Sequence, residues 1–115
     1  MKKSDNYQWI NQLKKGTIEL CVLIILKKGD SYGYEIVTHL KRFPKFSISH
    51  AAIYPILKRL LNKDFISYYW KETEGKPARK YYKITKKGED FLDIMLEEFK
   101  DLYTSVLCLE KELQL

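Results

Sequence analysis

The stretch that decides the fold of this chain is residues 47–63, SISHAAIYPILKRLLNK. Ile53, Leu57 and Leu60 recur at i, i+4 and i+7, which is the spacing of one buried stripe on an α-helix. The stretch therefore predicts a helix whose apolar back packs on a protein core. What this helix can do depends on the residues of its other face.

The front of the same helix is polar and basic. His50, Tyr54 and Lys58 recur at i, i+4 and i+8, so three large polar side chains share a second face. Ser49 is a natural N-cap, because its hydroxyl can accept a free backbone N–H of the first turn, and Pro55 is tolerated best near a helix start. We therefore expect the helix to begin near Ser49. A short capped helix with a basic front can enter a DNA major groove, which makes it a candidate recognition helix.

Length and charge favour one small domain with an acidic partner. At 115 residues, with 45% hydrophobic and 31% charged residues, the chain has room for one modest core. The net charge of +6 is unevenly distributed: residues 1–87 hold 19 Lys and Arg against seven Asp and Glu, whereas residues 88–115 hold two against eight. A basic body with an acidic tail fits a body that binds a polyanion, either nucleic acid or an anionic membrane. A lysine-rich solvated surface is the alternative that charge alone leaves open.

The cysteines and the N-terminus argue against a metal site and an export signal. Cys21 and Cys108 lie in apolar helical patterns without metal-ligand spacing, so we expect two structural thiols and no cofactor, with an inter-subunit or redox role as the alternative. Residues 1–6 are polar and precede no apolar segment of a signal peptide. The longest apolar run, residues 20–26, is far too short to span a bilayer. We therefore expect a soluble, cytoplasmic protein.

A long helix, from about Trp9 to Lys28, is predicted before the candidate recognition helix. Residues 20–26 are apolar all round, which indicates burial on more than one side. Because a single small domain rarely surrounds a helix completely, the simplest second surface is another subunit. Lys27, Lys28 and Gly29 end the helix with cations at its negative end and a glycine cap.

A short second helix is predicted over about residues 33–42. Asp30 or Ser31 can cap it, and Pro44 stops it, because proline disfavours helix in the residue before it and cannot continue one. A long buried helix followed by two short helices with a tight connection is a helix-turn-helix arrangement.

A β-hairpin is predicted after these helices. Residues 65–71 and 79–85 are rich in β-forming residues, and the polar loop between them contains glycine and proline. Such a hairpin beside a recognition helix is the wing of a winged helix, whose basic side chains can contact phosphates or reach the minor groove. For Lys76, Arg79 and Lys80 we favour DNA contact over plain solvation. The aromatic residues expected chiefly to pack the wing are Tyr69, Trp70, Tyr81 and Tyr82.

The last predicted helix, from Lys86 to about Leu113, carries an apolar seam with the alternating 3-4 spacing of a heptad repeat. The seam consists of Leu92, Met95, Phe99, Leu102, Val106, Leu109 and Leu113. We expect it to form a dimer interface across a two-fold axis, with an intramolecular core helix as the alternative. The fold class expected overall is mainly α with a β wing. A winged helix-turn-helix DNA-binding domain would occupy residues 1–87 and a dimerisation helix residues 88–115.

Three segments resemble the signatures of PadR-type transcriptional regulators. They are residues 32–36 (YGYEI), 49–60 (SHAAIYPILKRL) and 75–85 (GKPARKYYKIT), in the family's order and spacing. The Tyr-Pro pair of the second segment and the Arg-Lys-Tyr-Tyr run of the third are specific together and weak singly. The resemblance covers roughly residues 13–88, and the short C-terminal helix is similar to that of the smaller branch of the family.

The resemblance implies a bacterial winged-helix repressor that binds a palindromic operator as a dimer. It also implies, in many members, a response to aromatic or cationic small molecules held at the dimer centre between the first and C-terminal helices. An aromatic residue of the C-terminal helix lines that cavity, and Phe99 falls at the matching position, with Gln12 and Met95 as further candidates. Phe99 is otherwise a residue of the dimer core. Acidic residues that could neutralise a cation are not evident on the seam, where Tyr103 appears instead, which argues against a cationic effector.

These residues distinguish three classes of function. In a DNA-binding repressor the contacts to double-stranded DNA would come from Ser49, His50, Tyr54, Lys58, Lys76, Arg79 and Lys80. A winged-helix module for protein interaction is the second class, although such a module seldom needs a polar recognition helix and a basic wing together. An enzyme is the third, and it is disfavoured because His39 and His50 lie far apart in the chain and no catalytic set, phosphate-binding glycine loop or metal cluster is evident.

Overall fold

The structure is a computed structural model that describes residues 3–113, with side chains from residue 7 onward. Four α-helices and three β-strands make up the described residues. The helices are α1 (Lys3–Lys28), α2 (Gly33–Lys41), α3 (Ile53–Asn62) and α4 (Lys86–Glu112), and the strands are β1 (Ser31–Tyr32), β2 (Ile66–Thr73) and β3 (Lys76–Ile84). One turn of 3-10 helix, Pro44–Phe46, separates α2 from α3. The predicted mainly α fold with a β wing is confirmed.

The first helix is longer than predicted. It begins at Lys3 rather than near Trp9, because its early turns carry no apolar periodicity that would reveal them, and it ends at Lys28 as expected. Val22, Leu23 and Leu26 are buried. Ile24 remains 39% exposed, so the chain itself covers most of the circumference of the apolar run but not all of it.

One apolar core holds the helices and the sheet together. The predicted stripe of α3 is buried in full, and α2 buries an equivalent stripe at a helical spacing. The buried core residues are Ile18, Val22, Leu23, Leu26, Ile36, Val37, Leu40, Ile53, Leu57, Leu60, Ile66, Tyr82 and Leu92. All helices and both long strands contribute to this set, so the helix-turn-helix and the wing share one core and have a fixed relative orientation.

The cap of α2 differs from the prediction. Its N-cap is Tyr32, and the Glu35 carboxylate reaches back to accept a 3.2 Å hydrogen bond from the Tyr32 N–H. Asp30 and Ser31 are not the cap, because Ser31 and Tyr32 are already committed to strand β1. The Ser31 hydroxyl instead donates to the Gly29 carbonyl at 3.1 Å and so stabilises the turn between α1 and β1.

The candidate recognition helix, α3, begins at Ile53 and not near Ser49. The Ser49 hydroxyl accepts a 3.1 Å hydrogen bond from the Ala52 N–H, so it caps the turn before the helix. Pro55 explains the late start. In a helix beginning at Ser49, the missing N–H of Pro55 would leave the Ala51 carbonyl without a hydrogen-bond donor. In α3, Pro55 is the third residue, and the N–H groups of the first turn have no partner within a helix, so nothing is lost.

The sheet is antiparallel with the order β1-β3-β2, and strand β1 was not predicted. Tyr82 of β3 is opposite Ser31 on one side and Tyr68 on the other. The wing strands are longer than predicted, and most of the polar loop belongs to them, because cross-strand pairing needs only backbone groups. The remaining turn contains Gly75, whose φ of 76° suits glycine.

Helix α4 begins at Lys86, as predicted, and is capped by Thr85, whose hydroxyl oxygen accepts a 3.0 Å hydrogen bond from the Gly88 N–H. Leu92 is buried in the core, whereas every residue from 97 to 113 is exposed. The helix therefore starts in the body of the protein and projects away from it. None of the helices in the described part of the chain has the length and apolar character to cross a membrane.

Candidate nucleic-acid interface

Helix α3 presents an exposed front beside its buried stripe. Tyr54 and Lys58 are both exposed on that front. The neighbouring Arg59 faces α1, where its Nε donates a 2.8 Å hydrogen bond to Glu19 Oε1. Of the two adjacent cations, Lys58 is therefore the one directed to solvent and Arg59 the one that joins α3 to α1.

His50 lies in the turn before α3 and not on the helix itself. Its imidazole stacks on the Tyr34 ring of α2, with 4.9 Å between centroids and 9° between planes. Both side chains are exposed, so the stacked pair is accessible at the surface. Ser49 is exposed one residue earlier, although its hydroxyl is already engaged with the Ala52 N–H.

Tyr54 lies against the backbone of α2 and close to the wing. A Cβ placed on Gly33 would come within 3.2 Å of the Tyr54 hydroxyl oxygen, so the phenol ring passes directly over that glycine. Burial raises the pKa of Tyr82, and the nearby phenols of Tyr54 and Tyr68 raise it further. Tyr54 therefore packs on the start of α2 and lies near the buried Tyr82 of the wing.

The wing places its basic residues on two different faces. Lys80 lies 4.0 Å from the Tyr68 ring centroid, on the inner face of the sheet and therefore on the side of Tyr54. Arg79 lies on the opposite face, where its Nη1 donates a 2.9 Å hydrogen bond to the Tyr32 hydroxyl. Lys76 is exposed at the start of β3, next to the turn. Lys80 therefore lies with the residues of the recognition helix, and Arg79 and Lys76 extend the basic surface along the hairpin.

The aromatic residues of the wing divide into packed and exposed ones. Tyr69 and Tyr81 stack at 5.8 Å, and Tyr81 meets Tyr32 edge-on at 5.4 Å, so one aromatic row crosses all three strands. The Tyr69 hydroxyl donates a 2.8 Å hydrogen bond to Asp30 Oδ2, and this bond raises the pKa of that phenol. The prediction of wing packing is wrong for Trp70, which is 63% exposed.

The three residues suggested for an effector lie wholly or partly open to solvent in the described part of the chain. Gln12 is exposed, Met95 is half-buried and Phe99 is 46% exposed. A different apolar groove, of about 310 Å³, lies between α1 and the end of α2. It is lined by Cys21, Ile24, Ile25, His39, Leu40, Arg42, Phe43 and Phe46. An effector site at Phe99 would therefore need the surface of a second subunit.

The two thiols lie in different surroundings. Cys21 is half-buried in the groove, and burial raises its pKa. Cys108 is exposed on α4, so Cys21 alone has packed surroundings of the kind that a structural thiol needs. His39 is at the rim of the same groove, whereas His50 is stacked near α3. Within the described residues, no three His, Cys, Asp or Glu side chains are grouped so that they could hold a metal.

Sequence reasoning missed four residues that adjoin the candidate interface. They are Tyr32, Gly33, Tyr34 and Tyr68. The first three belong to the YGYEI segment, which periodicity describes only as the beginning of α2. Their role depends on contacts with residues that are distant in the chain, so no local pattern reveals it.

A helix with an exposed basic front on a shared helical core, with a basic hairpin beside it, defines the winged helix-turn-helix class of DNA-binding proteins. The model of the transcriptional regulator PadR-like family matches residues 22–94 of the chain. The chain belongs to this family of transcriptional regulators, and the predicted resemblance is confirmed.

Solved structures and a curated relative agree with this assignment. A PadR-like transcription factor from Bacteroides fragilis is 38% identical, with a TM-score of 0.72 and coverage of 84% of this chain and 92% of that one. A PadR-like transcriptional regulator from Bacillus cereus is 35% identical, with a TM-score of 0.76 and coverage of 85% and 95%.

The negative transcriptional regulator PadR of Bacillus subtilis is 32% identical over 77 residues, which are 65% of this chain and 42% of that protein. Its structure in complex with operator DNA is similar at a TM-score of 0.62 and 31% identity, covering 70% of this chain and 46% of that one. This chain therefore spans less than half of that relative.

Proposed function

We propose that the protein is a transcriptional repressor that binds a palindromic operator as a homodimer. The observation that carries the proposal is the nearness of the recognition helix to the wing: the Tyr54 phenol is near enough to Tyr82 to help raise its pKa, and Lys80 lies 5.6 Å from the Tyr82 ring centroid and 4.0 Å from that of Tyr68. The operator complex and the name of the negative regulator from Bacillus subtilis support the same function. The basic charge of residues 1–87 supports an anionic partner.

The homodimer is proposed from the exposed seam of α4. Leu102, Val106 and Leu109 are more than half exposed in the single chain, which an apolar stripe of this length rarely is in water. Pairing of this seam would give residues 88–115 the role of a dimerisation helix. It would also place two copies of α3 on one face, about 34 Å apart, as successive major grooves require.

Within this proposal, Tyr54, His50 and Lys58 contact base edges or phosphates, and Lys76, Arg79 and Lys80 hold the flanking backbone. Removing one phosphate contact reduces the slope of log affinity against log salt by about 1. Lys58→Ala and Arg79→Ala are therefore expected to weaken the binding of random-sequence duplex DNA and to flatten its salt dependence. Fluorescence anisotropy at several salt concentrations measures both effects.

Lys100→Ala is the matched control, because it removes the same charge from an exposed position on the acidic helix α4. An unchanged slope in both interface variants, and in the double variant, would contradict the DNA contacts. Complete absence of DNA affinity at low salt would instead favour the protein-interaction module.

We also propose that an aromatic or hydrophobic small molecule releases the repressor, with Gln12, Met95 and Phe99 near its site at the dimer centre. Exposed Phe99 and half-buried Met95 supply apolar contact area that a second subunit would enclose. Titration with phenolic acids and dyes, followed by tryptophan fluorescence, tests this role. Quenching that is lost in Phe99→Ala supports the site, whereas absence of any response leaves a repressor without an effector.

A further inference from the structure

The start of α2 contacts three of the residues that the proposed function assigns to DNA, and it does so with three consecutive positions. Tyr32 touches Arg79, Gly33 touches Tyr54, and Tyr34 touches His50. The three partners lie on different elements: the wing, helix α3 and the turn before it. Neither the core nor the DNA contacts proposed above give this tripeptide a role.

Tyr34 fixes the plane of the His50 ring. His50 lies outside α3, so helical geometry does not orient it. The two rings are parallel within 9° and 4.9 Å apart, which leaves the imidazole one stacked orientation at the surface. Because both residues are exposed, the stack contributes little to the core.

Gly33 sets the depth at which the Tyr54 ring lies. The glycine is buried, and a Cβ at this position would lie 3.2 Å from the Tyr54 hydroxyl oxygen and 3.4 Å from Cε1. Its backbone φ is not positive, so glycine serves here to leave space and not to adopt a special conformation. A methyl group at position 33 would require the Tyr54 phenol to shift by a few tenths of an ångström from this position.

Tyr32 holds the Arg79 guanidinium in two ways. Its hydroxyl oxygen accepts a 2.9 Å hydrogen bond from Nη1, and its ring centroid lies 4.6 Å from the guanidinium carbon. Tyr32 is itself fixed, because it pairs with Tyr81 in the sheet and meets that ring edge-on. A long, exposed arginine of the hairpin is thereby ordered without DNA.

We propose that Tyr32, Gly33 and Tyr34 form a positioning platform that orients Arg79, Tyr54 and His50 for operator recognition. The inference rests on the proposed function and adds positioning residues to it. Ordering these side chains in the free protein reduces the conformational entropy lost on binding, so the platform increases affinity through Arg79, Tyr54 and His50. It also couples wing and recognition helix, because one rigid helix start sets the geometry of both.

Double-variant cycles test the platform, with a DNA duplex that the wild-type protein itself enriches from a random-sequence library. Gly33→Ala is expected to lower affinity for this duplex about tenfold, or ~1.4 kcal/mol. In a Tyr54→Phe background the same change should cost less than about twofold, because the nearest atom to the new methyl group is gone. Gly29→Ala is the matched control, since nothing lies within 4 Å of a Cβ at that glycine.

The stacked pair gives a second, independent cycle. Tyr34→Leu is expected to lower affinity about threefold to tenfold, the worth of one aromatic pair, and to have no further effect in a His50→Ala background. Tyr34→Phe keeps the ring and should restore most of the affinity. Tyr32→Phe removes only the acceptor, and its effect should likewise disappear in an Arg79→Ala background.

Thermal melting separates positioning from folding. Tyr34→Leu changes an exposed residue and Tyr32→Phe removes one hydroxyl from a half-buried residue, so both variants should melt near the temperature of the wild type. Equal losses of affinity in both backgrounds of the cycles would overturn the platform while leaving the proposed function intact. A wild-type protein that enriches no sequence and binds no duplex at low salt would instead refute the proposed function, and the platform with it.

Discussion

Arg59 Nε and Glu19 Oε1 are 2.8 Å apart, and this ion pair joins the recognition helix to the first helix. The Glu19 side chain is only 18% exposed, so the pair is shielded on one side. Arg59 follows Lys58 directly in sequence, and both are exposed, but among the described residues Arg59 has an ion-pair partner and Lys58 has none. This difference predicts that two neighbouring alanine substitutions act on different properties of the protein.

Arg59→Ala is expected to lower the free energy of unfolding by about 1 kcal/mol, because it leaves a mostly buried carboxylate without its donor. Urea unfolding measures this loss, and Glu19→Gln should produce a similar one. The double variant should lose less than the sum of the two, since both break the same pair.

Lys58→Ala is the matched control for stability, because the side chain is exposed and its loss should change the free energy of unfolding by less than about 0.5 kcal/mol. Its effect should appear in the salt dependence of DNA binding, which Arg59→Ala should leave nearly unchanged. The reverse pattern would mean that Arg59, and not Lys58, is the DNA contact.

Gly88→Ala is expected to destabilise the folded protein far more than Gly16→Ala. A Cβ at this position would overlap the carbonyl oxygen of Phe65 and lie 2.9 Å from Ile84 Cγ1, where backbone and packed side chain cannot move aside. We expect a loss of at least about 3 kcal/mol in the free energy of unfolding, or no folded protein.

Gly16→Ala is the control, because nothing lies within 4 Å of a Cβ at that position of α1. Alanine in a helix interior should raise stability by about 0.5–1 kcal/mol. Circular dichroism during heating distinguishes the two variants. A Gly88→Ala protein that melted like the wild type would show that the start of α4 packs less closely on Phe65 and Ile84 than described.

The parts of the fold that could be predicted are those that depend on burial. Ile53, Leu57 and Leu60 are all buried, because one face of any helix in this position must cover the core. The 3-4 repeat likewise indicated the helix α4, although Leu92 is the one residue of its seam that is buried in the described chain. Both patterns are periodic and local, and a single sequence is sufficient to reveal them.

The parts that could not be predicted depend on contacts between distant residues. Strand β1 has two residues and forms only because Tyr32 pairs with Tyr81 in β3. Ser49 carries the signature of a helix cap, but the same hydroxyl chemistry stabilises a turn, and Pro55 decides between them. The stack of Tyr34 on His50 joins two elements whose local patterns contain no trace of it.

The Cys21 thiol should react slowly with alkylating reagents. Burial raises its pKa, so at a given pH a smaller fraction is thiolate, which is the reactive form. In a Cys108→Ser variant, iodoacetamide should modify Cys21 with an apparent pKa above that of free cysteine, and urea should bring the rate to that of a free thiol. A rate in the folded protein equal to that of free cysteine would contradict the half-buried position.

The raised pKa of Cys21 also determines the direction in which the stability of the protein changes with pH. A thiol whose pKa is higher in the folded protein contributes stability below the pKa of the unfolded chain, and this contribution is lost as the pH rises through the folded pKa. Cys21→Ala should therefore flatten the decline of stability at alkaline pH, which urea unfolding at several pH values measures.

The exposed seam of α4 is expected to hold the dimer together. Leu102 and Leu109 lie two turns apart on the same side of the helix and are 65% and 57% exposed in the single chain. A charge at each position would lose its hydration in a paired seam. This desolvation costs several kcal/mol per charge, which is more than the free energy of dimerisation could offset. Leu102→Glu with Leu109→Glu should therefore give a folded monomer, because the seam's buried member, Leu92, lies in the core of its own chain.

Sedimentation equilibrium measures the association, and Thr104→Glu is the control because it adds a charge on the opposite side of the same helix. The monomer should also lose most of its affinity for the enriched duplex, since only a dimer binds two half-sites at once and gains their combined energy. Its affinity for random DNA should fall far less, because phosphate contacts within each subunit remain. A double variant that still sedimented as a dimer would place the interface elsewhere, with the partly exposed apolar run around Ile24 of α1 as the next surface to change.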